Sequence, residues 1–204
     1  MLVPADGLEL GFRFQGSERW NLTASAFVLD LDSELVFVGD AGATEAGRPS
    51  RRTGLELTLF HRLSRHLSLD LDAAWSRARF RDTDPTGDRI PGAPERVLTA
   101  GLALERLGPL SAALRVRSLG SRPLTEDGSV RSGSLTTWNA RIGWQLGNGL
   151  ELTLEAINLF DATGSDIEYF YVSRLPGEPA EGIADVHFHP TEPRRLRLAA
   201  GWRF

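Results

Sequence analysis

Period-two alternation of apolar and polar residues runs through the whole chain, and this pattern limits the fold more than any other feature of the sequence. In the segment "ARIGWQLGNGLELTLEA", Ile142, Trp144 and Leu152 lie on one side of a predicted hairpin, and Arg141 and Glu151 lie on the other. Residues that alternate in this way belong to β-strands with two chemically different faces. Helical spacing is not convincing anywhere, so the sequence predicts an all-β, antiparallel fold.

The alternation predicts nine strands separated by connections of two kinds. The strands are expected near residues 8–15, 20–30, 51–61, 66–79, 96–106, 109–118, 135–146, 149–158 and 193–204, with "ELVFVG" (34–39) extending the second strand. Tight connections at 16–19, 62–65, 107–108 and 147–148 alternate with long ones at 40–50, 81–95, 119–134 and 159–192. All tight turns therefore lie at one end of the sheet and all long loops at the other, which is typical of transmembrane β-barrels.

One face of the last five predicted strands carries no charged residue, although the other face carries many. Leu102, Leu114 and Ile142 belong to the uncharged face, and Arg115 and Glu155 to the opposite one. An Arg that faces lipid at the bilayer midplane costs roughly 2–4 kcal/mol, so a lipid-facing wall excludes charge. The alternative is a soluble barrel, which has the same alternation with the apolar face inward and the charged face outward. The length of the strands and the tryptophans near their ends favour lipid.

The composition excludes several other classes of protein. The chain has 204 residues, a formal net charge of −4 and no cysteine, so nucleic acid is not expected as a partner, and disulfides and thiolate metal sites are ruled out. No apolar run has the length of a membrane-spanning helix. The first residues, "MLVPADGLEL", lack the basic and apolar stretches of a secretory signal, so we expect no export signal within this sequence.

Four short motifs resemble the C-terminal β-barrel region of TonB-dependent outer-membrane receptors. These motifs are "GRPSRRTGLELTL" (47–59), "RIPGAPE" (89–95), "INLFDAT" (157–163) and "EPRRLRLAAGWRF" (192–204). Receptors of this kind have barrels of about 22 strands with a plugged lumen. The resemblance therefore implies that residues 1–204 form the C-terminal portion of such a barrel, and that the plug domain and the earlier strands lie outside this sequence.

The same resemblance implies a function and a location. We expect part of a receptor in the outer membrane of a Gram-negative bacterium that imports a scarce nutrient, such as a siderophore or other metal complex, cobalamin or a glycan. Energy would come from the TonB complex, through a region outside this chain. A barrel of this kind performs no bond chemistry, so neither enzymatic activity nor a cofactor is expected. Two alternatives remain open: a small complete outer-membrane pore or adhesin, and a soluble lipocalin-like binding barrel.

The segment "DVHFHP" (185–190) contains candidate metal ligands. Asp185, His187 and His189 share one side of an extended segment, with a spacing that metal ligands can adopt. The alternative interpretation is a solvated loop that descends into the last strand, and the sequence favours it.

The longest loop contains candidate ligand-binding residues. Tyr169, Tyr171 and Arg174 lie in "IEYFYVSRLPGE" (167–178) and could contact an aromatic or anionic ligand. The alternative is a loop whose aromatic residues pack on its neighbours.

The last strand ends on aromatic residues, Trp202 and Phe204. The resemblance implies that this ending is an assembly signal read by the barrel assembly machinery. The alternative role for Phe204 is one more aromatic residue at the membrane interface beside Trp202.

The first prediction concerns Phe204. Deleting Phe204 alone from the complete protein of the host should lower its level in the outer membrane and leave its synthesis unchanged, because assembly would lose its signal. Quantitative blotting of outer-membrane fractions and whole cells measures both. An undiminished outer-membrane level of the deletion variant would contradict the signal role.

Overall fold

A computed structural model of the chain describes residues 3–16, 19–38 and 43–202, and thirteen β-strands account for most of them. The strands are β1 (Ala5–Gly16), β2 (Trp20–Leu31), β3 (Leu35–Val38), β4 (Ala43–Ala46), β5 (Ser50–Arg62), β6 (Leu67–Phe80), β7 (Arg96–Leu107), β8 (Leu110–Leu119), β9 (Leu135–Gln145), β10 (Leu150–Ile157), β11 (Ser165–Ser173), β12 (Ile183–Pro190) and β13 (Arg195–Trp202). Over those residues, no helix has the length and apolar character that a membrane crossing requires.

Nine of the strands form one antiparallel sheet in the order β1-β2-β5-β6-β7-β8-β9-β10-β13. These are the nine strands that the alternation predicts, and their bounds differ from the predicted ones by a few residues at most. Hence the predicted fold class, a segment of a transmembrane antiparallel β-barrel, is confirmed. Among the described residues, β1 and β13 each have one neighbour in this sheet.

The pairing register brings the uncharged positions of all nine strands onto one face. A row of direct partners crosses seven strands without a charged residue: Phe14, Leu22, Leu59, Leu71, Ala100, Val116 and Trp138. This row begins near the tight-turn end of β1 and ends near the long-loop end of β9, so the strands are staggered as barrel closure requires. Large side chains on the face are open to the surroundings, with exposures of 77% for Leu8, 79% for Leu10 and 74% for Leu198.

Ion pairs and hydrogen bonds between strands connect the opposite face. An Arg115 Nη atom on β8 lies 3.5 Å from Asp70 Oδ2 on β6, across β7, and Glu155 lies 3.7 Å from both Arg141 and Arg197 on its two neighbouring strands. Because most of these side chains remain exposed, the pairs contribute little net stability each. Their chemistry fits a wetted lumen wall and not an apolar protein core.

The tryptophans lie at two heights on the uncharged face, as expected for aromatic girdles. Trp144 and Trp202 pair with Leu110 and Leu150, which begin the strands after tight turns. Trp20 is also at this end, where its ring stacks on His61 with centroids 3.6 Å apart. Trp75 and Trp138 lie towards the long loops. Rings at these heights mark the two membrane interfaces.

The predicted extension of the second strand through residues 34–39 is wrong. Residues 32–33 bend the chain, and β3 pairs with β4 in a separate hairpin instead of continuing in the main sheet. Glu34, which is almost fully buried, holds this bend because its carboxylate accepts hydrogen bonds from Ser50 Oγ, at 2.6 Å, and from Arg52. A buried carboxylate requires such partners, so the hairpin is fixed where β2 ends.

The longest connection also contains more structure than the sequence indicates. Within residues 159–192, β11 and β12 pair as a second separate hairpin. Both faces of β11 carry apolar side chains, such as Ile167 and Phe170, so this segment lacks the polar–apolar alternation of the other strands. The Gly and Pro residues between the two strands made the whole region resemble a loop.

The "INLFDAT" motif joins the end of β10 to the start of β13. Asn158 is 2% exposed and adopts a positive φ of 49°. Its Nδ2 donates to the carbonyl oxygens of Ala162 and Glu192, each at 2.9 Å, and its Oδ1 accepts from the Ala162 amide. Asp161 Oδ1 accepts from the Arg194 amide at 2.8 Å. The motif therefore sets where the last strand enters the sheet.

The second prediction tests which face meets lipid, with a pair of adjacent positions on β7. Leu102 belongs to the uncharged face and is 40% exposed, whereas Ala103 lies on the opposite face between the small residues Ser68 and Ala113. Leu102→Arg should impair membrane insertion and cost about 2–4 kcal/mol near the midplane. Ala103→Arg, the matched control, should be much milder.

The measurement is the free energy of unfolding of each complete variant in lipid vesicles, determined by urea titration. Equal damage from the two substitutions, or greater damage from Ala103→Arg, would show that the faces are assigned the wrong way round.

Candidate functional site

A cavity of about 570 Å³ lies at the long-loop end of the sheet. Its wall comes from the β3–β4 hairpin, from the loops that follow β6 and β8, and from β11. Val36, Phe80, Leu124 and Phe170 supply apolar surface. Concave sites with apolar walls and a few convergent polar groups are the usual form of small-molecule sites.

A cluster of buried apolar residues lies beside this cavity and shares Phe80 with it. Ala78, Phe80, Ile90 and Ala93 form a buried cluster, and Val36 packs against it. Ala78 and Phe80 belong to the polar face of β6, which turns apolar only beyond Ser76. The loop after β6 therefore packs against the lumen side of the sheet through Ile90 and Ala93.

Arg48, between β4 and β5, is the central charged group of the cavity. Its Nη1 atom lies 3.4 Å from Asp82 and 3.5 Å from Asp84, and its Nη2 atom lies 3.1 Å from Glu126. These carboxylates come from two different loops, so one guanidinium joins three segments that are far apart in sequence. Such a group sets the shape of the cavity as well as its charge.

The remaining contacts of Arg48 hold its guanidinium in place. Its central carbon lies 3.9 Å from the centre of the Phe80 ring, a cation–π contact, and Nη2 donates to the Gly87 carbonyl at 2.8 Å. Its Nε and Nη1 atoms are buried, and Nη1 is engaged through the ion pairs with Asp82 and Asp84. The guanidinium is therefore fixed by protein groups on several sides.

Two aspartates on the loops around the cavity are held in their ionised form. Thr86 donates hydrogen bonds to Asp84 from its amide, at 2.8 Å, and from its hydroxyl, and these bonds lower the pKa of Asp84. Asp127 accepts from the hydroxyls of Thr125 and Ser129 and from the Ser129 amide, which lowers its pKa to about 2. These hydrogen bonds therefore favour the negative form of both carboxylates.

The candidate ligand-binding residues Tyr169, Tyr171 and Arg174 lie on the β11–β12 hairpin but do not line the cavity. The Tyr171 ring stacks on His187, with centroids 3.8 Å apart, and Arg174 Nε donates to the Glu178 carbonyl at 3.3 Å in the hairpin turn. Their neighbour Phe170 points the other way and does line the cavity.

The candidate metal ligands Asp185, His187 and His189 share one face of β12, as the sequence predicts, since they pair in turn with Tyr171, Tyr169 and Ile167. His189 Nδ1 lies 2.9 Å from Asp166 Oδ1, and this hydrogen bond lowers the pKa of Asp166. In the part of the chain that the structure describes, no three His, Cys, Asp or Glu side chains are gathered as a metal site would need.

Of the two aromatic residues that end the last strand, the structure describes Trp202. Trp202 ends β13 opposite Leu150 and is strongly exposed on the uncharged face. Phe204 lies outside the described residues.

Sequence reasoning did not identify Arg48 or Phe80 as site residues. Their proximity follows from the pairing of Ser50 with Phe80, which places the two strand ends side by side. A signal was present in the sequence, because a lone Arg before β5 and the acidic segment "RDTDPTGD" (81–88) flank paired strands. Without the register, however, no pairing between them could be derived.

Comparison with known proteins identifies the family. The sequence model of the family described as "TonB dependent receptor-like, beta-barrel" matches residues 5–159. The chain is 23% identical over 209 aligned residues to the catecholate siderophore receptor Fiu of Escherichia coli K12, which covers 98% of this chain and 26% of Fiu. It is 26% identical over 161 residues to the pesticin receptor of Yersinia enterocolitica, which covers 75% of this chain and 24% of that receptor.

Solved structures agree with the fold. The crystal structure of the ferric yersiniabactin uptake receptor FyuA from Yersinia pestis superposes with a TM-score of 0.72 at 21% identity, over 96% of this chain and 29% of FyuA. The chain thus spans about a quarter of the length of the curated relatives that it matches. It is part of an outer-membrane β-barrel of a Gram-negative bacterium, and it belongs to the TonB-dependent receptor β-barrel family.

Proposed function

We propose that this chain is the part of an outer-membrane receptor that helps to bind and import a scarce metal complex by TonB-dependent transport. The names of the relatives support this class of substrate, since they refer to a catecholate siderophore and to ferric yersiniabactin. Membership of the family favours the receptor over the small pore, the adhesin and the lipocalin-like binder.

The cavity around Arg48 is the observation that carries the proposal. It lies at the long-loop end, which faces the outside of the cell in barrels of this kind. It combines apolar walls, including Phe80 and Phe170, with a guanidinium that loop carboxylates hold in place. A ligand arriving from outside would meet this site before it reached the lumen.

The charge around the cavity narrows the substrate class. Among the described residues that line it, Glu45, Asp84, Glu126 and Asp127 are negative and Arg48 alone is positive. A strongly anionic chelate would be repelled by these carboxylates, whereas a neutral or cationic metal complex would be attracted. We therefore expect this receptor to prefer neutral or cationic complexes.

Transport itself requires no bond chemistry from these residues. In this proposal, the charged lumen face lines the path of the ligand, and regions outside this chain contact the TonB complex. The barrel assembly machinery would bind the last strand, where Trp202 and Phe204 lie. The candidates on the β11–β12 hairpin, Tyr169, Tyr171 and Arg174, would form an outer contact for the ligand, and the metal-ligand role of Asp185, His187 and His189 remains a hypothesis.

The direct test is uptake by a host strain from which the complete gene has been deleted and then restored. Cells would be given ⁵⁵Fe as a neutral ferric hydroxamate, as anionic ferric citrate and as an anionic ferric catecholate. Restored cells should take up the neutral complex fastest, and a protonophore should abolish this uptake because TonB-dependent transport needs energy from the inner membrane. Absence of uptake of every complex, at a normal outer-membrane level of the receptor, would contradict the proposal.

The third prediction concerns Arg48 within the same assay. Arg48→Gln should leave Asp82, Asp84 and Glu126 without their shared cation, so the cavity should lose its order and ligand binding should weaken roughly tenfold, the equivalent of about 1.4 kcal/mol. The outer-membrane level should not change, because Arg48 lies beyond the lipid-facing strands.

Arg62→Gln is the matched control, since Arg62 is an exposed arginine at the tight-turn end of β5. It should bind ligand as the natural protein does. Arg174→Gln is a third variant in this test. If Arg174→Gln binds ligand much more weakly and Arg48→Gln binds it normally, the binding site lies at the tip of the β11–β12 hairpin.

A further inference from the structure

A group of arginines lies on the lipid side of the sheet, immediately beyond the uncharged face. Trp75 pairs with Leu55 at the upper edge of that face, and the next two pairs on the same side are Arg77 with Thr53 and Arg79 with Arg51. Successive same-face residues are about 6.6 Å apart along a strand. The change from apolar surface to positive charge is therefore abrupt, and it occurs at the height of the outer membrane interface.

These residues border an outward-facing cavity of about 510 Å³. Its lining consists of Arg51, Thr53, Arg77, Arg79, Phe80, Arg81 and Asp88. Four guanidinium groups thus converge on one recess, and Asp88 is the only carboxylate among the described lining residues. This recess is separate from the Arg48 cavity, although Phe80 contributes to the walls of both.

Two of the four arginines are already engaged with protein acceptors. Arg51 forms a bidentate pair with Asp30, with both N–O distances at 2.7 Å. Arg79 donates to the Ala78 carbonyl at 2.7 Å and lies 3.6 Å from Asp88 and 4.0 Å from Glu95. These contacts hold the two guanidinium groups at the wall of the recess.

The other two arginines are available. The side chains of Arg77 and Arg81 are exposed and make no hydrogen bond or salt bridge to the described residues, although Arg81 acts on Asp30 through its charge. Of the four arginines, only Arg51 and Arg79 pair with the carboxylates of Asp30, Asp88 and Glu95. The like charges of Arg77 and Arg81 therefore repel their neighbours without a direct carboxylate partner among the described residues. An anion with several oxygens would relieve that repulsion.

We propose that this recess binds the phosphorylated headgroup of an anionic lipid of the outer leaflet. Arg77 and Arg81 would donate to phosphate oxygens, since guanidinium groups match phosphate in bidentate geometry. The acyl chains would extend down the uncharged face, along Leu55 and Trp75. Only a molecule with an anionic head and apolar chains satisfies both surfaces at once, which favours a lipid over free phosphate.

The fourth prediction tests this site in the complete purified receptor, held in nanodiscs of phosphatidylcholine. The probe is bis-phosphorylated lipid A, and its binding is measured by native mass spectrometry over a titration. Arg77→Gln/Arg81→Gln should bind the probe about 10- to 30-fold more weakly, because each basic residue near a lipid surface contributes on this scale. Arg77→Lys/Arg81→Lys should bind more tightly than the Gln variant and more weakly than the natural protein, because Lys keeps the charge but not the bidentate geometry.

Arg115→Gln/Arg117→Gln is the matched control, since it removes the same charge from the opposite face of the sheet. It should bind the probe normally. Arg81→Gln alone, beyond the end of β6, provides a second variant with little effect on folding, and it should show part of the loss.

Three results would overturn the proposal. The first is equal binding of lipid A by the natural protein and by Arg77→Gln/Arg81→Gln. The second is equal binding of a dephosphorylated probe. The third is displacement of the probe by inorganic phosphate at the same concentration as by free lipid A, which would indicate a phosphate site without lipid specificity.

Discussion

The pairing register of the nine-stranded sheet is the constraint on which the rest of this structure depends. Each backbone amide and carbonyl within the bilayer must be paired, because an unsatisfied group in lipid costs several kcal/mol. A register slip of one residue would also move every apolar side chain to the wrong face. The row from Phe14 to Trp138 shows that the register meets both demands across seven strands at once.

The same register explains why two different sites arise at one end of the sheet. Beyond Ser76, the lumen face of β6 is apolar and its lipid face is positively charged. Ala78 and Phe80 belong to the buried cluster beside the Arg48 cavity, and Arg77 and Arg79 line the outer recess. The pairs that Arg48 makes with loop carboxylates hold the loops after β6 and β8 at the cavity.

The main sheet could be predicted from the sequence because each of its strands carries its own period-two pattern and three of the four tight turns contain a Gly. The two hairpins could not be predicted in the same way. The strand Leu35–Val38 is apolar on both sides, and its separation from β2 depends on Glu34 contacting Ser50 and Arg52 across the sheet. The sequence predicts that a ligand site lies at the long-loop end of the sheet, but not which residues form it. Arg48 meets its partners through pairings between segments that are distant in sequence.

A cysteine scan along β8 would test the central claim most directly, that the uncharged face of this sheet meets lipid. The chain has no cysteine, so each introduced one is unique within it. Spin labels at positions 111 to 116 of the complete membrane-embedded protein would be probed by collision with oxygen, which concentrates in lipid, and with a water-soluble nickel chelate. The account predicts high oxygen accessibility at Ala112, Leu114 and Val116 and low values at Ser111, Ala113 and Arg115. High oxygen accessibility at the second set, or no alternation, would contradict it.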